Sequence, residues 1–160
     1  MYAGWRFDRL PSLGRVTTPT PQPELRVFAQ EGAPLSRMAI PRLAVSVVVS
    51  EGIKPHTLVR AAGHIPGTAF PDELGNVGIA GHRDTFFRRL SEIRRDDVIT
   101  LTTLVGSYQY SVEWTRVVTP SDVEVLEPSN TAVLTLITCY PFAYVGPAPK
   151  RFIVRARRMD

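Results

Sequence analysis

Few side chains in this sequence could act as a nucleophile or carry a proton near neutral pH. There is one cysteine, Cys139, and there are three histidines, His56, His64 and His82. Cys139 directly follows the apolar run Val133-Leu134-Thr135-Leu136-Ile137-Thr138, and Tyr140-Pro141 must then turn the chain. A thiol at the end of a rigid strand can present its sulfur to a cleft, although burial as a small hydrophobe is the commonest fate of a free cysteine. His82 lies in Gly78-Ile79-Ala80-Gly81-His82-Arg83-Asp84, a strand running into a loop, where Gly81 permits close backbone approach. Imidazole is the usual proton carrier at such a position; the plainer alternative is a surface histidine held by Asp84. His64, in Gly63-His64-Ile65-Pro66-Gly67, competes for the same role, and His56 after Pro55 reads as structural or exposed. Arg151 opens the run Arg151-Phe152-Ile153-Val154, and a period of two puts it on the face of Ile153 and Arg155.

Taken together, a thiol, an imidazole and a guanidinium suit acyl transfer. The thiolate attacks an amide carbonyl, the histidine protonates the leaving amine, and a cation or backbone donor holds the oxyanion. No Asp or Asn is placed to complete a papain-like triad. A lone cysteine excludes an internal disulfide framework and multi-cysteine zinc sites, and the histidines lack ligand spacing, so no metal is expected. No glycine-rich loop ends in Lys-Ser or Lys-Thr, and no phosphate-binding cofactor site is expected either.

The elements that must carry these groups are mostly strands. Leu43, Val45, Val47 and Val49 share one face against Arg42, Ala44 and Ser46. Tyr108, Tyr110, Val112 and Trp114 alternate with Gln109, Ser111, Glu113 and Thr115, which predicts one half-buried strand. Val77–Ala80, Val98–Leu101, Val133–Thr138 and Phe152–Val154 are further strands, and the run from Val133 to Ile137, apolar on both faces, belongs at the centre of the sheet. Helical signals are short: about two turns over Thr57–Ala62, another over Phe86–Leu90 capped by Asp84 or Thr85, and a turn starting at Ser121 or Asp122. The pattern predicts a mostly antiparallel β-barrel or sandwich with short helices.

At 160 residues the chain has the length of one domain. Residues 1–37 stand apart, since Pro11, Pro19, Pro21, Pro23 and Pro34 punctuate them around Thr17-Thr18-Pro19-Thr20-Pro21-Gln22-Pro23. Such a run favours an extended stalk, or else a strap over the domain surface; residues 38–160 form the folded domain. No apolar run approaches the ~20 residues that cross a bilayer, so the chain as it stands is expected to be soluble. The net charge is +4, with 17 Arg and only 2 Lys against 15 acids. That surplus permits anionic partners without establishing them.

Three blocks resemble a known family. Thr135-Leu136-Ile137-Thr138-Cys139 is similar to the TLxTC signature of sortases, the cysteine transpeptidases of bacterial surfaces. The blocks Gly63-His64-Ile65-Pro66-Gly67-Thr68 and Gly75-Asn76-Val77-Gly78-Ile79-Ala80-Gly81-His82-Arg83-Asp84-Thr85-Phe86-Phe87 resemble the class D members in particular, as does Cys139-Tyr140-Pro141-Phe142 through Arg151-Phe152-Ile153-Val154. The resemblance runs from about Met38 to Arg158. It implies a single closed eight-stranded β-barrel, with Cys139 as nucleophile, His82 as acid/base and Arg151 as oxyanion stabiliser. Thr138, Ile137 and His64 would be substrate-binding. It further implies cleavage of an LPxTG-like sorting signal after Thr, through a Cys139 thioester resolved by an amine of a cell-wall precursor or another protein. Neither metal nor cofactor is implied, nor a nucleic-acid partner.

Family members usually carry an N-terminal membrane helix on the outer face of the bacterial membrane. Here Met1-Tyr2-Ala3-Gly4-Trp5 shows none, and the Pro/Thr segment is read as the stalk left after its removal. Two other functions fit the composition less well. A basic β-barrel binding module would use the arginine surplus, but the aromatics fall in alternating strand positions that core packing explains better than base stacking. A cysteine hydrolase would cleave without transferring.

Overall fold

A computed structural model describes residues 30–82, 87–140 and 148–159 of the chain. Eight strands close into a barrel in the order β1-β2-β3-β4-β7-β8-β6-β5. They are β1 (Pro34–Ile40), β2 (Val45–Glu51), β3 (Ala62–His64), β4 (Gly75–Ala80), β5 (Val98–Thr102), β6 (Ser107–Val118), β7 (Ala132–Tyr140) and β8 (Lys150–Arg158). Six of the eight pairings are antiparallel, while β2–β3 and β4–β7 are parallel. Closure leaves no sheet edge to aggregate, which suits a barrel whose strands are mostly short.

The alternation read from the sequence sorts side chains between two apolar clusters. The barrel interior holds Met38, Ile40, Val77, Ile79, Leu134, Leu136 and Val154 among others. The opposite face of the same strands holds a second cluster: Ala80 from β4, Ile137 from β7 and Ile153 from β8, together with Val125 and Leu126 of the β6–β7 connection. β7 is therefore buried on both faces, as its unbroken apolar run requires.

Several elements differ from expectation. The strand expected to begin at Leu43 begins at Val45, because a 3₁₀ turn over Pro41–Leu43 and a left-handed Ala44 (φ 55°) turn the chain first. The helix expected over Thr57–Ala62 is the single turn Pro55–Leu58, since Ala62 already belongs to β3. Trp114 does not continue the inward face of Tyr110 and Val112. A bulge between Val112 and Trp114 shifts the register, so Trp114 pairs with Arg155 and packs on the second cluster. The expected turn near Asp122 is the 3₁₀ helix Val123–Leu126, and the turn expected at Phe86–Leu90 is the 3₁₀ helix Arg88–Glu92. β1 begins at Pro34, within the segment set apart by its prolines. The Pro/Thr run itself and the expected caps Asp84 and Thr85 lie outside the described residues.

At the end of the barrel where β5 begins, Asp97 ties two connections together. Its carboxylate accepts from Arg42 Nε at 2.6 Å, from Arg42 Nη2 at 2.8 Å and from the Arg94 backbone N–H at 2.9 Å. These bonds, the Arg42 pair first, hold the Asp97 carboxyl below its usual range against the opposing effect of burial. A depressed carboxyl contributes stability above its unfolded pKa and loses it as pH falls through the folded value. Thermal midpoints should therefore drop on acidification below about pH 4. In the Asp97→Asn variant, already several degrees less stable at neutral pH, that part of the acid dependence should be missing.

Candidate active site

The site is built by strand register. Cys139 on β7 stands directly opposite Arg151 on β8, and Ile137 opposite Ile153. On the other side of β7 the parallel partner β4 ends with Ala80 beside Ile137, and the Gly81 N–H donates to the Ile137 carbonyl at 3.1 Å. Two residues further along β7 comes Cys139, and two residues past the end of β4 comes His82. Because side chains return to the same face every second residue, Cys139 and Arg151 follow Ile137 and Ile153 on the outer face of the barrel. Three residues far apart in sequence thus fall in one row: Arg151 on β8, Cys139 on β7, and His82 just past the end of β4.

Each member is held. Cys139 is 3% exposed and Arg151 2%, while His82 is half-buried. Arg151 Nη1 donates to the carbonyls of Ala148 at 3.1 Å and Lys150 at 2.8 Å, which fixes the guanidinium at the start of β8. The carbonyl of His82 accepts from the Phe87 N–H at 2.9 Å. Phe87 is fully buried, and its ring would lie 2.7 Å from a Cβ placed on Gly81. Gly81→Ala must therefore displace either a core ring or the chain carrying His82. Such a displacement, approaching 1 Å, should lower turnover by roughly 10²-fold while the domain stays folded, as steady-state kinetics beside a melting curve would check.

Beside Arg151 a shallow groove of about 20 Å³ opens over the second apolar cluster. Val118, Val123, Val125, Leu126, Ile137 and Arg151 line it. One wall is the 3₁₀ helix Val123–Leu126. Beneath that wall on β4, a Cβ on Gly78 would come within 3.0–3.2 Å of the Thr68, Leu126 and Ile65 side chains.

The remaining expected residues lie elsewhere. Ile137 lines the groove. Thr138, fully buried, points to the barrel side of β7, and its hydroxyl has no hydrogen-bond partner among the described residues. His64 on β3 is 2% exposed and stacks on Phe70 at 4.6 Å. Its Nδ1 lies 2.8 Å from Glu51 Oε1 and its Nε2 2.9 Å from the Ala69 carbonyl, so it joins β2 to the β3–β4 connection rather than the row. Among the described residues no cluster of His, Cys, Asp and Glu could hold a metal ion, and no helix is long and apolar enough to cross a membrane. Sequence reasoning passed over Asn76, Thr135 and Arg155, which bind the groove wall. The available signal was a polar residue set in an apolar strand run.

The barrel sets a cysteine and an arginine directly opposite each other on β7 and β8, with a histidine just past the end of the neighbouring β4. Residues 38–159 match the Sortase domain, and the chain belongs to the sortase family. It is 35% identical over 123 residues to Sortase D of Bacillus subtilis, covering 76% of this chain and 62% of that protein. The chain thus spans about three fifths of the length of that relative. A solved Sortase D5 transpeptidase of Clostridium perfringens superposes with a TM-score of 0.78 at 29% identity, over 87% of each chain. Sortase C of Clostridium perfringens, solved with a C-terminal cell wall sorting motif, superposes with a TM-score of 0.76 at 25% identity, over 84% of this chain and 75% of that one.

Proposed function

We propose that this chain is a cysteine transpeptidase that cleaves an LPxTG-like sorting signal after its Thr and passes the acyl group to an amine. The observation that carries the reading is the register pairing of Cys139 with Arg151, with His82 two residues past the end of the adjoining strand. The Cys139 thiolate attacks the Thr carbonyl carbon, and the displaced electron pair rests on the oxygen, where the Arg151 guanidinium stabilises it. Collapse breaks the C–N bond. Protonated His82 gives its proton to the departing amine, leaving a thioester on Cys139. The incoming amine loses a proton to His82 as it attacks the thioester, the C–S bond breaks, and thiolate and imidazolium are restored. The steps balance without a metal or cofactor.

The shallow groove beside Arg151, part apolar and part polar and lined by Ile137 among others, supports an extended peptide as acyl donor. In this reading Thr138 and His64 act beneath the site, by shaping β7 and the β3–β4 connection. The acceptor is an amine of a cell-wall precursor or of a protein, and the enzyme works at the outer face of the bacterial membrane. The test incubates the chain with a library of LPxTG-type peptides, with and without an added amine, and follows intact mass and products. An acyl-enzyme adduct and an amine-linked product support the proposal. Hydrolysis unaffected by amine would assign a cysteine hydrolase instead. No adduct and no cleavage would overturn both.

A further inference from the structure

Four residues down the strands from the row, roughly 13 Å along the sheet, the same outer face carries a second polar group. Thr135 on β7 stands opposite Arg155 on β8, and Asn76 lies on β4. Asn76 and Thr135 are buried, and Arg155 is half-buried. Their hydrogen bonds run in a single direction. Arg155 Nε donates to Thr135 Oγ1 at 3.0 Å, and Thr135 Oγ1 donates to Asn76 Oδ1 at 2.7 Å. Asn76 Nδ2 then donates to the carbonyls of Val125 at 2.8 Å and Glu127 at 3.1 Å, and Arg155 Nη2 donates to the Val125 carbonyl at 2.8 Å. The hydroxyl has only one proton, so the 3.4 Å approach of Thr135 Oγ1 to the Val125 carbonyl is secondary. The Arg155 guanidinium is braced from outside by the Trp114 ring, 5.1 Å away.

The carbonyls so held belong to the segment that forms the groove wall, whose Val125 and Leu126 side chains close over the second apolar cluster. Apolar contact alone would leave that wall free to slide, since it is non-directional. Hydrogen bonds to two backbone carbonyls fix both its height and its register above the sheet. We infer that Asn76, Thr135 and Arg155 form a clamp that positions the β6–β7 connection and thereby sets the affinity of the groove for the acyl-donor peptide. None of the three is placed in the row with Cys139. They are positioning residues, and this role in peptide binding rests on the transpeptidase reading above.

The experiment compares parent, Thr135→Val, Thr135→Ser and Asn76→Ala in the full chain, each shown folded by its melting curve. Thr135→Val keeps shape while removing the hydroxyl that links Arg155 to Asn76; Thr135→Ser restores it. For Thr135→Val and Asn76→Ala the expected result is amide exchange across residues 119–131 at least about tenfold faster. KM for the cleaved peptide should rise about tenfold with kcat within a factor of three. Iodoacetamide should alkylate Cys139 at the parent rate, and Thr135→Ser should return all values to parental. Unchanged exchange in 119–131 would overturn the clamp, and faster exchange with unchanged KM would overturn its role in binding. If the parent neither cleaves nor acylates, the transpeptidase reading and with it the binding role fall, while the exchange comparison still decides whether the clamp holds the wall.

Discussion

Cys139→Ala removes acyl-enzyme formation altogether and lowers peptide cleavage by at least about 10⁴-fold, a magnitude typical of deleting a covalent nucleophile. The result separates two accounts of a buried thiol. As a core hydrophobe, Cys139 would be replaced by alanine at the cost of stability, about 1 kcal/mol, with the cleavage rate kept. As a nucleophile, it would be replaced with little change in melting temperature and the loss of chemistry. Its position favours the second. Its side chain lies on the outer face with Arg151, not on the barrel face filled by Leu134 and Leu136. Intact-mass analysis after peptide addition and a melting curve on the same preparation decide the matter. Cleavage by Cys139→Ala at the parental rate would overturn the mechanism.

The parts of this molecule visible in its sequence are those where one strand's pattern is sufficient. The run Val133–Ile137 announces a strand buried on both faces, and a period of two places Arg151 with Ile153. That Cys139 and Arg151 work as a pair could be taken from the family resemblance, whereas their opposition depends on a register no single strand encodes. The bulge before Trp114 leaves no mark in alternation, because one inserted residue reads like a continued strand. β3 is only Ala62-Gly63-His64, too short for any period, and it exists because Gly63 admits the Gly52 carbonyl to within 2.1 Å of where a Cβ would stand. β1 is hidden by Pro34 and by the polar Ser36 and Arg37. Asn76, Thr135 and Arg155 are visible singly as polar interruptions, but Asn76 and Thr135 are 59 residues apart and meet only when β4 and β7 pair.

The second large effect concerns Arg151. Acylation and deacylation both pass through a tetrahedral oxyanion on the same carbonyl, so its stabiliser serves each step. Arg151→Ala should therefore slow both by about 10²–10³-fold, the usual loss when one oxyanion donor is removed. Because the two steps slow together, the steady-state fraction of acyl-enzyme should stay near the parental level, in contrast to a variant defective only toward the amine, in which it would rise. Arg151→Lys tests geometry apart from charge. A single ammonium lacks the planar fork, and it cannot keep the hydrogen bonds that Nη1 makes to Ala148 and Lys150 while reaching the face of Cys139. Lysine should recover no more than about a tenth of the parental rate. A purely structural arginine makes the opposite forecast, in which activity across Lys, Gln and Ala follows the melting temperature and any variant folded at assay temperature acylates normally. Single-turnover measurement of adduct formation on folded Arg151→Ala distinguishes them, and acylation at the parental rate would remove Arg151 from the reaction.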